Sequence, residues 1–110
     1  MSDSVTEPLP SSLREADRPS DAPVLVSVWH PHCSACRAIE ERLSRLERRI
    51  GALCTIERLN VMEAPDLAEE IGVRQVPTLL VFRQGTLNAR FVGAEKIQAF
   101  ADRIEEAKIG

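Results

Sequence analysis

Residues 24–36 read Val24-Leu25-Val26-Ser27-Val28-Trp29-His30-Pro31-His32-Cys33-Ser34-Ala35-Cys36, and the folding of this stretch decides the rest of the chain. Its first six residues are valine-rich and apolar and lie between Pro23 and Pro31, the pattern of a buried strand. Beyond Cys36, the residues Ile39, Leu43, Leu46 and Ile50 recur at helical spacing. Arg37, Glu40, Glu41, Arg42, Arg45, Glu47, Arg48 and Arg49 take the opposite face, and Gly51 stands where a C-terminal cap belongs. The spacing therefore predicts a strand over 24–29 and a helix over 34–50. Cys33 falls at or just before the first turn, and Cys36 falls one turn in. Unpaired backbone N–H groups and the helix dipole favour negative charge at that place.

This placement suits thiol chemistry. A disulfide is attacked by a thiolate, and an ordinary cysteine, with a pKa of about 8.5, is mostly protonated at neutral pH. A helix N-terminus shifts the balance toward the thiolate. Cys33, the more exposed of the pair, is the expected nucleophile, and Cys36 closes the internal disulfide and releases the product. Two other readings stay open. His30, His32, Cys33 and Cys36 lie within seven residues and supply the nitrogen and sulfur ligands of a zinc module. Against it, His30-Pro31-His32 has to fold back over the helix start, and no second Cys-x-x-Cys pair exists. The third reading is a redox-poor binding partner or chaperone. Cys54 stands alone in an apolar pattern and reads as core packing.

The chain has 110 residues, 44% hydrophobic and 28% charged, which suits one small globular domain. A net charge of −3 gives no reason to expect nucleic acid. Its longest apolar runs are too short to span a bilayer, so no membrane partner is expected. Residues 1–22 show no basic start followed by an apolar core, which makes a cytoplasmic protein the expectation. That segment is polar, with Ser12-Leu13-Arg14-Glu15 as a candidate capping box, and the domain proper is expected over 23–110.

In chain order, Cys54 to Val61 reads as a second strand, parallel to the first across a right-handed crossover. Pro65 to Ile71 reads as a short helix with proline at its start and Gly72 just past its end. Leu79-Leu80-Val81-Phe82 is apolar on both faces and reads as a central strand. Gln84-Gly85 turns the chain, and Leu87 to Val92 returns antiparallel. Gly93 breaks that strand, and a final helix from Ala94 to Lys108 turns Ile97, Phe100, Ala101 and Ile104 inward. The order β-α-β-α-β-β-α predicts an α/β fold, a mixed sheet with helices on both faces. Cys33 sits just past the end of a strand, where such sheets place their chemistry.

Two segments carry a resemblance. One is Val26-x-Val28-Trp29-x-x-x-Cys33-x-x-Cys36. The other is Ile71-Gly72-Val73-Arg74-Gln75-Val76-Pro77-Thr78-Leu79-Leu80-Val81-Phe82, followed by Gly85 and Val92-Gly93. With these motifs, from about Pro23 to Ala107, the chain resembles the thioredoxin family. The resemblance implies a thioredoxin fold and a thiol-disulfide oxidoreductase that acts on protein disulfides, works as a monomer without a cofactor or bound metal, and is recycled by a thiol donor such as a thioredoxin reductase. It implies a cis bond before Pro77 and a turn there facing the cysteines. The Val76 backbone would pair with an extended substrate segment, as in β-strand addition. Gly93 and Ala94 would complete the apolar rim around Cys33, and Trp29 would pack beneath the turn.

The chain departs from that family twice. Thioredoxins usually carry Trp-Cys-Gly-Pro-Cys, where this chain has His32-Cys33-Ser34-Ala35-Cys36. An imidazolium at His32 would stabilise the thiolate and make the disulfide a better oxidant. A potential above the thioredoxin value of about −270 mV, near −200 mV, is therefore expected. The family's buried aspartate, two residues before the tryptophan, is replaced by Ser27, and Arg58 takes the place of the accompanying lysine. A serine hydroxyl can relay a proton but is a poor general base, so attack by Cys36 is expected to be slow.

Overall fold

A computed structural model describes residues 22–109 of the chain. The candidate capping box at Ser12 to Glu15 lies outside the described residues. The elements are β1 (Val24–Trp29), α1 (Ser34–Ile50), a single 3-10 turn (Gly51–Leu53), β2 (Thr55–Asn60), α2 (Pro65–Ile71), β3 (Thr78–Arg83), β4 (Thr86–Val92) and α3 (Ala94–Ile109). The four strands lie in the order β2-β1-β3-β4. β1 runs parallel to β2 and antiparallel to β3, and β4 is antiparallel to β3. No helix among the described residues is long and apolar enough to cross a membrane.

β1 is internal because it is apolar on both faces. Leu25 joins Ile39, Leu43, Leu46 and Ile50 of α1 and Ile97 and Ala101 of α3 in one core. Val24, Val26 and Val28 point the other way and pack with Leu59, Ile71, Leu80 and Phe82. Successive side chains on a strand alternate between faces, so Ser27 lies on the same side as Leu25, beneath α1. The sheet thus carries α1 and α3 on one face and α2 on the other, the predicted layered α/β arrangement. Cys54 is buried in the first of these cores.

Two features correct the sequence reading. Arg42, expected on the solvated face of α1, is only 8% exposed. It lies one turn after Ile39 on the flank that meets α3, where its guanidinium donates to Asp102 at 2.8 Å and to Glu105 at 2.7 Å. Glu105 also receives Arg49 at 2.9 Å. Arg42→Ala is expected to cost about 1–2 kcal/mol in a denaturant titration. The cost stays below that of a fully buried pair because Asp102 is 62% exposed and regains water.

The second correction is a bulge. Val81 pairs with Ala89 but the next residue, Phe82, pairs with Leu87, leaving Asn88 unmatched. The extra residue turns Leu87 toward the second core while Ala89 and Phe91 pack on the first. Gly72 ends α2 in the left-handed conformation, at φ 89°. Its carbonyl and that of Ile71 accept from the Arg90 guanidinium of β4 at 3.1 and 2.9 Å. This clamp fixes where the chain leaves α2 for the segment leading to Pro77.

Candidate functional site

β1 delivers the chain into a tight turn at Pro31-His32, and α1 begins immediately after it. Cys33 is the N-cap of α1, with extended backbone at φ −116° and ψ 109°. Its Sγ accepts the backbone N–H of Cys36 at 3.1 Å. A cysteine thus stands where serine, threonine or aspartate usually satisfies an orphan helix N–H. Its own N–H donates to the His30 carbonyl at 3.2 Å.

Cys33 and Cys36 are both free thiols; Cys33 is half-buried and Cys36 is 4% exposed. Burial and then the neighbouring Cys33 side chain push the Cys36 thiol up to about 11, against the opposing pull of a hydrogen bond with the His30 backbone. The two sulfurs are therefore unequal: one is reachable at the start of α1. The other is a protonated reserve.

His30 does more than the sequence suggested. Its Nδ1 accepts the backbone N–H of His32 at 3.0 Å, so the ring braces the turn from within. His32 is exposed, and its ring centroid lies 5.5 Å from that of His30. Among the described residues, no three histidine, cysteine or acidic side chains are placed to hold a metal ion. The His30 Nδ1 faces the His32 N–H instead of the thiols.

A cavity of about 310 Å³ opens behind the thiols, lined by Ser27, Trp29 and Cys36 together with Cys33, Glu40 and Arg58. Ser27 is 3% exposed and stands opposite Arg58 across the β1–β2 pair. Arg58 is already committed: it donates to Glu40 at 3.1 Å and to Glu47 at 3.1 Å. Sequence reasoning missed both carboxylates because their pairing with β2 depends on how α1 lies across the sheet. Val76, Pro77 and Gly93 lie outside this cavity but at the same end of the sheet. Val28 pairs with Thr78, which puts Pro77 beside the end of β1, and the Gly93 N–H donates to the Pro77 carbonyl at 2.9 Å. The Val76–Pro77 bond is cis, and the Thr78 hydroxyl donates to the Gln75 carbonyl at 2.7 Å.

A family model for thioredoxin matches residues 10–106. The chain belongs to the thioredoxin family. Thioredoxins are thiol-disulfide oxidoreductases, and the close placement of Cys33 and Cys36 is consistent with such a pair. The thioredoxin of Pseudomonas aeruginosa is 31% identical over 93% of this chain and 97% of that protein. The chloroplastic M-type thioredoxin of Spinacia oleracea is 31% identical over 87% of this chain, and the chain spans about half, 53%, of its length. The structure of Fasciola hepatica thioredoxin superposes with a TM-score of 0.75 at 18% identity, covering 89% of each chain, a likeness of fold.

Proposed function

We propose that this protein is a dithiol-disulfide oxidoreductase for protein substrates, with Cys33 as nucleophile and Cys36 as resolving thiol. The observation that carries this reading is the N-cap hydrogen bond from the Cys36 N–H to Cys33 Sγ, with the second thiol buried directly behind it. Cys33 attacks a cystine sulfur, the substrate's other sulfur leaves, and Cys36 then displaces the substrate from Cys33. Val76 offers its backbone to an extended substrate segment, next to a groove of about 430 Å³ bounded by Val61, Ala68 and Val73 together with Glu69, Arg74 and Gln75. Pro77, Gly93 and Trp29 frame the approach to Cys33, and His32 stands exposed next to it in the chain. A thiol donor such as a thioredoxin reductase returns the pair to the dithiol. Reduction of insulin by the chain with a dithiol donor tests the reading, and the absence of any acceleration over the donor alone overturns it.

The proposed potential lies above the thioredoxin value of about −270 mV, near −200 mV. The family's usual Gly-Pro between the cysteines is Ser34-Ala35 here. Equilibration with glutathione buffers measures it, and a value at or below about −270 mV contradicts the proposal.

The resolving step carries its own pH signature. With the Cys36 thiol at about 11, its ionised fraction at pH 7 is on the order of one in ten thousand. Burial, the largest cause, persists when Cys33 is in a mixed disulfide, so decay of that species is expected to accelerate as pH rises above 7. The Ser27 hydroxyl makes no hydrogen bond with another described residue and can pass a proton but not hold it. Ser27→Asp places a base in the cavity, and the decay at pH 7 is expected to rise by at least about tenfold with a flatter profile. An unchanged rate would show that proton removal from Cys36 does not limit turnover.

A further inference from the structure

The cavity behind the thiols is too large to be explained by one bridging water, whose share of liquid volume is about 30 Å³. At about 310 Å³ it falls at the lower end of the small-molecule range, about 300–1,000 Å³. Three observations say what it would take. Ser27, 3% exposed, directs a hydroxyl into it without a hydrogen-bond partner among the described residues. A buried polar group in that condition costs free energy until something satisfies it. Arg37 lines the mouth and has no carboxylate partner among the described residues, while the cavity's other cation, Arg58, is held by Glu40 and Glu47. With Arg58 held by both carboxylates, Arg37 is the lining guanidinium left to receive an anion. Finally, both Cys33 and Cys36 form part of the wall, so anything bound there lies against the reacting sulfurs.

We infer that this cavity is a binding site for a low-molecular-weight disulfide bearing carboxylates, with Arg37 receiving a carboxylate and Ser27 a polar group deeper in. The inference rests on the oxidoreductase reading and adds a second substrate class to the same sulfurs. In the reaction, Cys33 thiolate attacks one sulfur of the small disulfide, forming a mixed disulfide and releasing one thiolate. Cys36, after losing its proton, attacks Cys33 Sγ, and the second thiolate leaves. The Cys33–Cys36 disulfide forms, and the small disulfide is reduced by two electrons to two thiols once the leaving thiolates take up protons. Run backward, the same steps let a small thiol reduce the oxidised protein.

The test follows oxidation of the reduced full chain by stopped-flow, read by Trp29 fluorescence and by mass, with oxidised glutathione and with uncharged 2-hydroxyethyl disulfide. A binding site predicts that the rate saturates with oxidised glutathione and stays linear with the uncharged probe. Arg37→Ala is expected to raise the half-saturating concentration about tenfold, the loss of one charge-assisted bond, and to leave the uncharged probe within about twofold. Arg37 is exposed, so this variant keeps its fold. Ser27→Ala, which removes only the hydroxyl, is expected to raise half-saturation several-fold. A linear dependence on oxidised glutathione overturns the site, as does an Arg37→Ala effect equal for both probes. Insulin reduction run alongside separates the failures: if it persists, only the small-ligand site falls, and if it is absent, the oxidoreductase reading falls too.

Discussion

Cys33→Ser is expected to remove protein-disulfide reduction, to below about one-thousandth of the starting rate, without lowering thermal stability. The two halves of that result have one cause. Position 33 is an N-cap whose side chain accepts the Cys36 N–H, and serine does this at least as well as cysteine. The helix therefore keeps its cap while losing a group that can attack sulfur. Cys36→Ser should behave differently. The first attack survives, the second cannot occur, and a covalent adduct with substrate accumulates to one equivalent, released by added dithiol. Its stability should fall by about 1 kcal/mol, since a hydroxyl replaces a thiol at a site only 4% exposed. Mass spectrometry after mixing with a protein disulfide reads both outcomes. An adduct on Cys33→Ser and none on Cys36→Ser would reverse the assignment of roles.

The parts of this molecule that were legible in its sequence are those set by local pattern. Continuous apolar runs marked β1 and β3, a periodic stripe marked α1, and Pro65 and Gly72 bracketed α2 at its observed ends. The thiol pair was legible for the same reason, because a strand, a turn and a helix start place the sulfurs within a single short segment. What stayed hidden depends on partners far away in sequence. Arg42 sits among arginines and glutamates that do face solvent, and only the approach of α3 makes it different. Asn88 looks like any outward residue of an alternating strand, and its bulge appears only in the register with β3. His30 and Arg58 are local in position, yet the first is defined by a turn geometry and the second by two carboxylates one and three turns along a crossing helix from the thiols. The cavity itself belongs to this hidden class, since its wall draws on β1, the turn, α1 and β2 together.

Because α1 carries both sulfurs, its seat on the sheet should be separable from its chemistry, and Leu43→Ala is the variant that separates them. Leu43 is fully buried, one turn beyond Ile39, in the core shared with Ile97 and Ala101 of α3. Truncating it removes three carbons from a packed layer between two helices and the sheet, and the expected cost is about 3 kcal/mol, within the usual range of about 2–5 for leucine to alanine. For a domain of this size that corresponds to a fall in Tm of roughly 10–20 °C. The sulfurs, however, are fixed by bonds N-terminal to the cavity so formed: Cys33 Sγ to the Cys36 N–H, and the Cys33 N–H to the His30 carbonyl. Insulin reduction at 25 °C, per folded molecule, should then stay within about twofold of the unaltered chain. Leu43→Met keeps the volume and is expected to cost below about 1.5 kcal/mol, which controls for a site that merely dislikes change. A Leu43→Ala protein that keeps its Tm would mean that α1 and α3 close over the missing side chain. One that keeps its fold but loses activity would mean that the helix start is held from the core and not from the turn.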